Sequence, residues 1–231
     1  IDLIKEIRSF PIKHYDLVLS DFEPVSAWSA LLSGVPCIEM SHQAAVVHPL
    51  APKPQKNAAF GRYVLQHYTP ARQKYGFHFK SYDERVFTPV IRKEIRAAAP
   101  EDLGHYTVYL PGYHDDVLMH FLRQFEVKWE VFSKHAKYAY RVDNVFIEPI
   151  SQARFQESLI SASGVLCGAG FELPSEALFL GKKTMVIPMK GHYEQTCNAL
   201  GAAEVGASTI AELDLIYHRQ INYWLGQDKQ A

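Results

Sequence analysis

No stretch of this chain is apolar for long enough to cross a bilayer, and no signal-peptide pattern opens it. Cysteine is scarce: Cys37, Cys167 and Cys197 form neither a paired framework nor a C-x-x-C motif. Each lies in apolar surroundings, which favours buried, reduced thiols and a cytoplasmic setting, although spacing alone leaves a disulfide open. The 11 His are scattered without metal-ligand spacing, so no metal is expected. Neither sign of charge dominates, since 24 Lys and Arg face 25 Asp and Glu for a net charge of −1. No general attraction to nucleic acid or acidic membranes is thereby implied. What is present, 48% hydrophobic and 21% charged residues over 231, describes a globular protein with a core for one large or two ordinary domains.

One stretch organises the rest. Gly164 to Lys183 reads as a buried strand (Val165, Leu166, Cys167), a glycine turn (Gly168, Gly170) and a helix. Pro174 sits early in that helix, where a missing N–H costs nothing, and Gly181 lies just past its end. Glycines let backbone approach a ligand closely, and a helix N-terminus offers unpaired N–H groups that suit a phosphate. Glu176, in the first helical turns, is placed to accept hydrogen bonds from hydroxyls beside such a phosphate. The pattern therefore points to a nucleotide with diphosphate and ribose. Taken alone it is equally the tight turn of any α/β protein.

Upstream, residues 1–10 form a helix-like opening, and 16–21 have the continuous apolar centre of a buried parallel strand. Pro24 opens a helix with Val25, Trp28, Leu31 and Leu32 at helical spacing, Gly34 ends it, and residues 35–40 make the next strand before Ser41-His42-Gln43. Polar clusters, Asp21 among them, thus stand at strand C-terminal ends, where ligands gather in open α/β sheets. Pro49, Pro52 and Pro54 then break structure, and residues 60–75 could form a helix. Lys53, Lys56, Arg62 and Tyr63 there suit either a solvated surface or contact with an acceptor or membrane. Residues 76–79 suggest a short strand, and 94–104 read as an interdomain linker. Beyond it come strands at 107–110, 129–132, 145–147 and 184–188, with helices at 115–125, near 153–161, from 191 to about 206, and around Leu213, Tyr217, Ile221 and Trp224. Strands alternating with helices imply a parallel sheet in each half: one domain over 1–97 and another over 104–231.

Two such halves, with the glycine turn and Glu176 followed one βα unit later by Glu194-Gln195, resemble a GT-B glycosyltransferase of the glycosyltransferase 28 type. The likeness covers nearly the whole chain and is most specific from Gly164 to Gly206. Phe87-Thr88-Pro89-Val90 resembles the family's crossing into the donor domain. The resemblance implies two Rossmann-like domains, the N-terminal one lacking its first βα units and their glycine-rich loop. A chain that starts at Ile1 rather than Met agrees with a fragment of a longer protein.

The resemblance also implies roles. Glu176 would hold the ribose 2′- and 3′-hydroxyls. Amides around Gly168, Gly170, Phe171 and Glu172, with the Gly112 turn, would cradle the diphosphate. Glu194 and Gln195 would contact sugar or ribose hydroxyls, Asn198 would support them, and His192 would approach the phosphate. The plainer readings are a helix-start charge for Glu176 and a capping pair for Glu194-Gln195. Three departures stand out: Leu173 replaces the family's Ser or Thr, Glu172 is acidic beside the phosphate seat, and Gly168 stands near the position where some relatives carry His.

The implied reaction moves a sugar from a nucleotide diphosphate sugar, UDP-linked, to a glycan or lipid-linked acceptor without metal or cofactor. The family's base comes from the absent loop; among residues present, His42 and Asp21 are the candidates, and His42 could equally be a satisfied loop histidine. The expected location is cytoplasmic, with peripheral contact at the inner face of the membrane also compatible. Rival readings are a nucleotide-sugar 2-epimerase, whose acidic cluster is not evident, and a non-catalytic nucleotide-sugar-binding module. Glu176→Ala is expected to abolish nucleotide binding in a calorimetric titration while leaving the fold intact.

Overall fold

The computed structural model describes residues 2–55 and 59–227, and the chain divides into two compact units between Val90 and Ile91. The first unit holds α1 (Asp2–Ser9), β1 (Val18–Ser20), α2 (Pro24–Ser33), β2 (Cys37–Ser41), α3 (His42–Val46), α4 (Ala59–His67), β3 (Gln73–Phe77) and β4 (Val86–Phe87). Its strands pair in the order β1-β2-β3-β4, all parallel, with Ser20 opposite Glu39 and Ser41 opposite Gly76.

Three expectations for this unit are corrected. Helix α2 packs through the small residues Ala27, Ser29 and Ala30, while Trp28, Leu31 and Leu32 face outward. Small side chains let a helix lie close to a sheet, and apolar spacing alone does not say which side is covered. For the same reason β1 is not buried throughout: Val18 and Ser20 are covered, whereas Leu17 and Leu19 are exposed. The helix expected over 60–75 ends at His67, ahead of Pro70, and Tyr75 belongs to β3.

The second unit holds α5 (Lys93–Arg96), β5 (His105–Tyr109), α6 (Asp115–Leu122), β6 (Lys128–Ser133), β7 (Tyr140–Val142), β8 (Val145–Pro149), α7 (Gln152–Ser161), β9 (Gly164–Gly168), α8 (Glu172–Phe179), β10 (Lys183–Ile187), α9 (Tyr193–Ala203), β11 (Ser208–Thr209) and α10 (His218–Gly226). Residues 94–104, expected as a linker, include part of α5, whose Ile95 is fully buried, and count with this unit. The seven strands run β11-β10-β9-β5-β6-β8-β7, parallel except for β7, which pairs antiparallel with β8 in a hairpin the sequence did not suggest.

The core of this unit gathers around Tyr106, whose ring lies 5.4 Å from that of Trp129 and 5.2 Å from that of Trp224. Trp129 Nε1 donates to the Leu122 carbonyl at 2.9 Å, which joins α6 to β6. Glycine is required at 164, because a Cβ there would come within 2.7 Å of the Lys183 carbonyl and 2.8 Å of the Tyr106 ring. Lys182 is buried, and its Nζ donates to the carbonyls of Glu101, Ile160 and Ala162, tying the segment before β5 to the end of α7. Such a charge is tolerated inside because three carbonyl dipoles replace its water.

All three cysteines are free and buried, as the sequence suggested. Burial pushes the Cys167 thiol up to about 12, and burial followed by the nearby Glu39 carboxylate also raises Cys37. Only the thiolate is a nucleophile, so Cys167 should not react with a thiol-specific disulfide reagent at pH 8 until the chain is unfolded, when three equivalents should be released.

Candidate active site

In the second unit the chain runs outward from β5 to β6 and β8, then α7 carries it back so that β9, β10 and β11 are laid down on the other side of β5. Successive crossovers therefore diverge between β5 and β9. The C-terminal ends of these two strands, Leu110 to Gly112 and Gly168, are left with a crevice between them. A cavity of about 470 Å³ opens there, with Leu110, Gly112, Tyr113, Gly168, Met189 and Gln195 among its walls.

Glycines lining or following this crevice differ from Gly164. A Cβ placed on Gly112 or Gly170 would meet nothing within 4 Å, and one on Gly168 only the Ile187 carbonyl at 4.0 Å. None of the three has a left-handed backbone. The fold itself therefore does not demand glycine at these positions, and the space beside them is free for a guest. Helix α8 begins at Glu172 without a side-chain cap, and Pro174 in its first turn has no N–H to satisfy. The helix thus directs its amide end and positive dipole toward the turn. Glu172 is exposed and Leu173 half-buried.

Helix α9 braces this arrangement. Its cap His192 is exposed, and His192 Nδ1 accepts from the Gln195 amide at 3.3 Å. Gln195 Oε1 accepts from the Met189 amide at 2.8 Å and so holds the loop after β10. One turn on, the buried Asn198 donates from Nδ2 to the Ala169 carbonyl at 3.1 Å, inside the glycine turn. Two polar residues of one helix thereby hold the loops after β9 and β10. Glu194 stands half-buried at the start of the same helix.

Glu176 is not the exposed helix-start charge of the plainer reading; it is 4% exposed. Both its oxygens are held by Arg92, with Nε donating to Oε1 at 2.6 Å and Nη2 to Oε2 at 2.7 Å. This fork holds the Arg92 guanidinium above its ordinary pKa, against the opposing effect of burial. The pair joins residues 84 positions apart. Nothing in the local sequence pattern signalled Arg92, which stands two residues after the Phe87–Val90 crossing motif.

The other candidates lie in the first unit. Asp21 is exposed just after β1, and His42 opens α3 just after β2, at the same edge of the sheet. His42 is 8% exposed, and its Nδ1 lies 2.7 Å from the Phe77 carbonyl. A carbonyl only accepts, so Nδ1 carries the proton and the neutral ring has its lone pair on Nε2. Lys53 folds back on its own loop, donating to the carbonyls of His48, Pro49 and Ala51. Arg62 and Tyr63 are exposed on α4, and Lys56 lies outside the described residues. Among the described residues no three His, Cys, Asp or Glu side chains converge as metal ligands. No helix among them is long and apolar enough to cross a membrane.

Two parallel-sheet units, the second open at its strand-order reversal, have the fold of the GT-B glycosyltransferases. The glycotransferase of kitacinnamycin superposes with a TM-score of 0.59 at 16% identity, over 98% of this chain and 72% of that one. MurG of Acinetobacter baumannii gives 0.58 at 18% identity, over 96% and 70%. UGT89C1 of Arabidopsis thaliana, complexed with UDP-L-rhamnose, gives 0.52 at 10% identity, over 97% and 65%. No protein of established annotation matches the chain in sequence. The model of the family described as glycosyl transferase family 1 matches residues 2–227, and the chain belongs to that family. It is a glycosyltransferase.

The Arg92–Glu176 pair is asymmetric, since 45% of the arginine side chain is exposed but only 5% of the glutamate. Loss of the arginine strands a buried carboxylate, whereas loss of the carboxylate leaves a cation that can reach water. Arg92→Met should therefore cost ~3 kcal/mol in urea unfolding at neutral pH, and Glu176→Gln ~1 kcal/mol.

Proposed function

We propose that this glycosyltransferase takes its sugar from a nucleotide diphosphate sugar and passes it to an acceptor hydroxyl without a metal ion. One observation carries the reading. Gly112 and Gly168 line the cavity of about 470 Å³ at the strand-order reversal, and Gly170, in the turn leading to the amide end of α8, has open space where a Cβ would stand. A diphosphate in that space would be met by backbone N–H groups and a helix dipole. Charge that develops on the leaving diphosphate would be stabilised there by groups already in place.

In this reading Glu176 accepts from the ribose hydroxyls, and the start of α9, with His192, Glu194 and Gln195, flanks the donor. Gln195 and Asn198 act largely through the loops they fix. Similar structures hold UDP-L-rhamnose in UGT89C1 and thymidine diphosphate in SsfS6, both built on a nucleoside diphosphate, and the donor proposed is UDP-linked. The acceptor is a glycan or a lipid-linked sugar; the exposed Phe60 and Tyr63 beside Arg62 on α4 offer a surface for either. His42, at the C-terminal end of β2, is the better candidate to take the acceptor's proton. Asp21 has a lesser, electrostatic part.

Titration with UDP and with UDP-sugars in EDTA tests the donor assignment. Binding and donor turnover should survive the chelator. Gly112→Ala and Gly170→Ala should fold normally yet bind about tenfold more weakly, the loss of one charge-assisted hydrogen bond of ~1.4 kcal/mol. His42→Gln should lower kcat by about 100-fold with donor affinity kept. Turnover abolished by EDTA and restored by magnesium, or alanine variants with unchanged affinity, would refute the metal-free seat.

A further inference from the structure

Resting on the assignment of Glu176 to the ribose, we infer that Arg92 is a positioning residue that makes the site select a ribonucleotide over its 2′-deoxy counterpart. A carboxylate offers two oxygens and about four lone-pair directions. Arg92 takes one on each oxygen, Oε1 through Nε and Oε2 through Nη2. One direction per oxygen remains, and two adjacent hydroxyls, each donating once, match what remains. A planar fork also fixes the plane of the carboxylate, which a single ammonium would leave free to rotate. The glutamate cannot turn to water instead, because it is 4% exposed.

Arg92 itself is anchored from one side only. It forms the N-cap position of the short helix α5 with no side-chain cap bond there, and its outer edge is open to solvent. Its geometry therefore serves Glu176 rather than the packing of α5, whose buried anchor is Ile95. The consequence for substrate class is direct. A donor built on ribose uses both remaining directions, whereas a 2′-deoxy donor leaves one oxygen of a buried, fixed carboxylate without its second partner.

The test compares the affinity for UDP with that for 2′-deoxy-UDP, and likewise for GDP and 2′-deoxy-GDP, by isothermal titration calorimetry. Wild type should favour the ribonucleotide by about tenfold to 100-fold, the range of one hydrogen bond to a charged group. Arg92→Lys keeps the charge but not the fork, and should bring that ratio down to a few-fold while thermal unfolding stays cooperative. Arg92→Met, if it folds, should bring the ratio near one. A merely structural arginine would lower the melting temperature and leave the ratio alone.

The inference is overturned if Arg92→Lys retains the full wild-type ratio. It is equally overturned if either variant binds UDP more tightly than wild type, since Arg92 would then compete with the diol. Failure of the underlying assignment looks different: Glu176→Gln would bind UDP as wild type does. A chain that binds none of these nucleotides removes both.

Discussion

The reversal of strand order between β5 and β9 is the constraint on which the rest of the second unit depends. Crossovers that leave a sheet in opposite directions cannot cover the gap between their starting strands, so a crevice remains at the C-terminal edge. The Leu110–Tyr113 turn and Gly168 stand at that edge, and the turn through Gly170 leads from it to the uncapped start of α8. Glycine turns form part of the walls, beside the side chains of Tyr113, Met189 and Gln195. That suits a polyanion, whose charge several amides can share without the desolvation cost of a buried cation.

A seat formed partly by turns is useful only if its loops do not move, and the chain meets this with a single helix. From α9, Gln195 holds the Met189 amide and Asn198 holds the Ala169 carbonyl, so the loops after β9 and β10 are fixed to a common frame. The same logic applies to Glu176. Both oxygens of that buried carboxylate are held by the Arg92 fork, which fixes its plane. Rigid positioning of polar groups ahead of binding is what gives them strength in a site that excludes water.

Much of this was legible in the amino-acid order. The strands β5, β6, β8, β9 and β10 read as short apolar runs, and Pro174 and Gly181 bracket α8 where a helix begins and ends. The glycine turn and the Glu194-Gln195 start of α9 were also visible, because their spacing is local. Less local features escaped. The partner of Glu176 is 84 residues away, and no periodicity connects them. The role of Asn198 depends on α9 crossing the glycine turn, which only the packed sheet decides. In the first unit, the apolar spacing of α2 suggested a face through Trp28 and Leu31, but the sheet took the opposite one, where Ala27 and Ala30 permit close approach. Hydrophobic pattern tells which residues prefer cover; it does not tell where cover is supplied.

The central claim is that the amide-lined crevice seats a diphosphate. A crystal structure of the chain with UDP bound tests it most directly. The account predicts the phosphates against the turns at Gly112 and Gly168–Gly170, with the ribose hydroxyls on Glu176 while Arg92 keeps its fork. A nucleotide bound elsewhere, with that crevice still open, would contradict it.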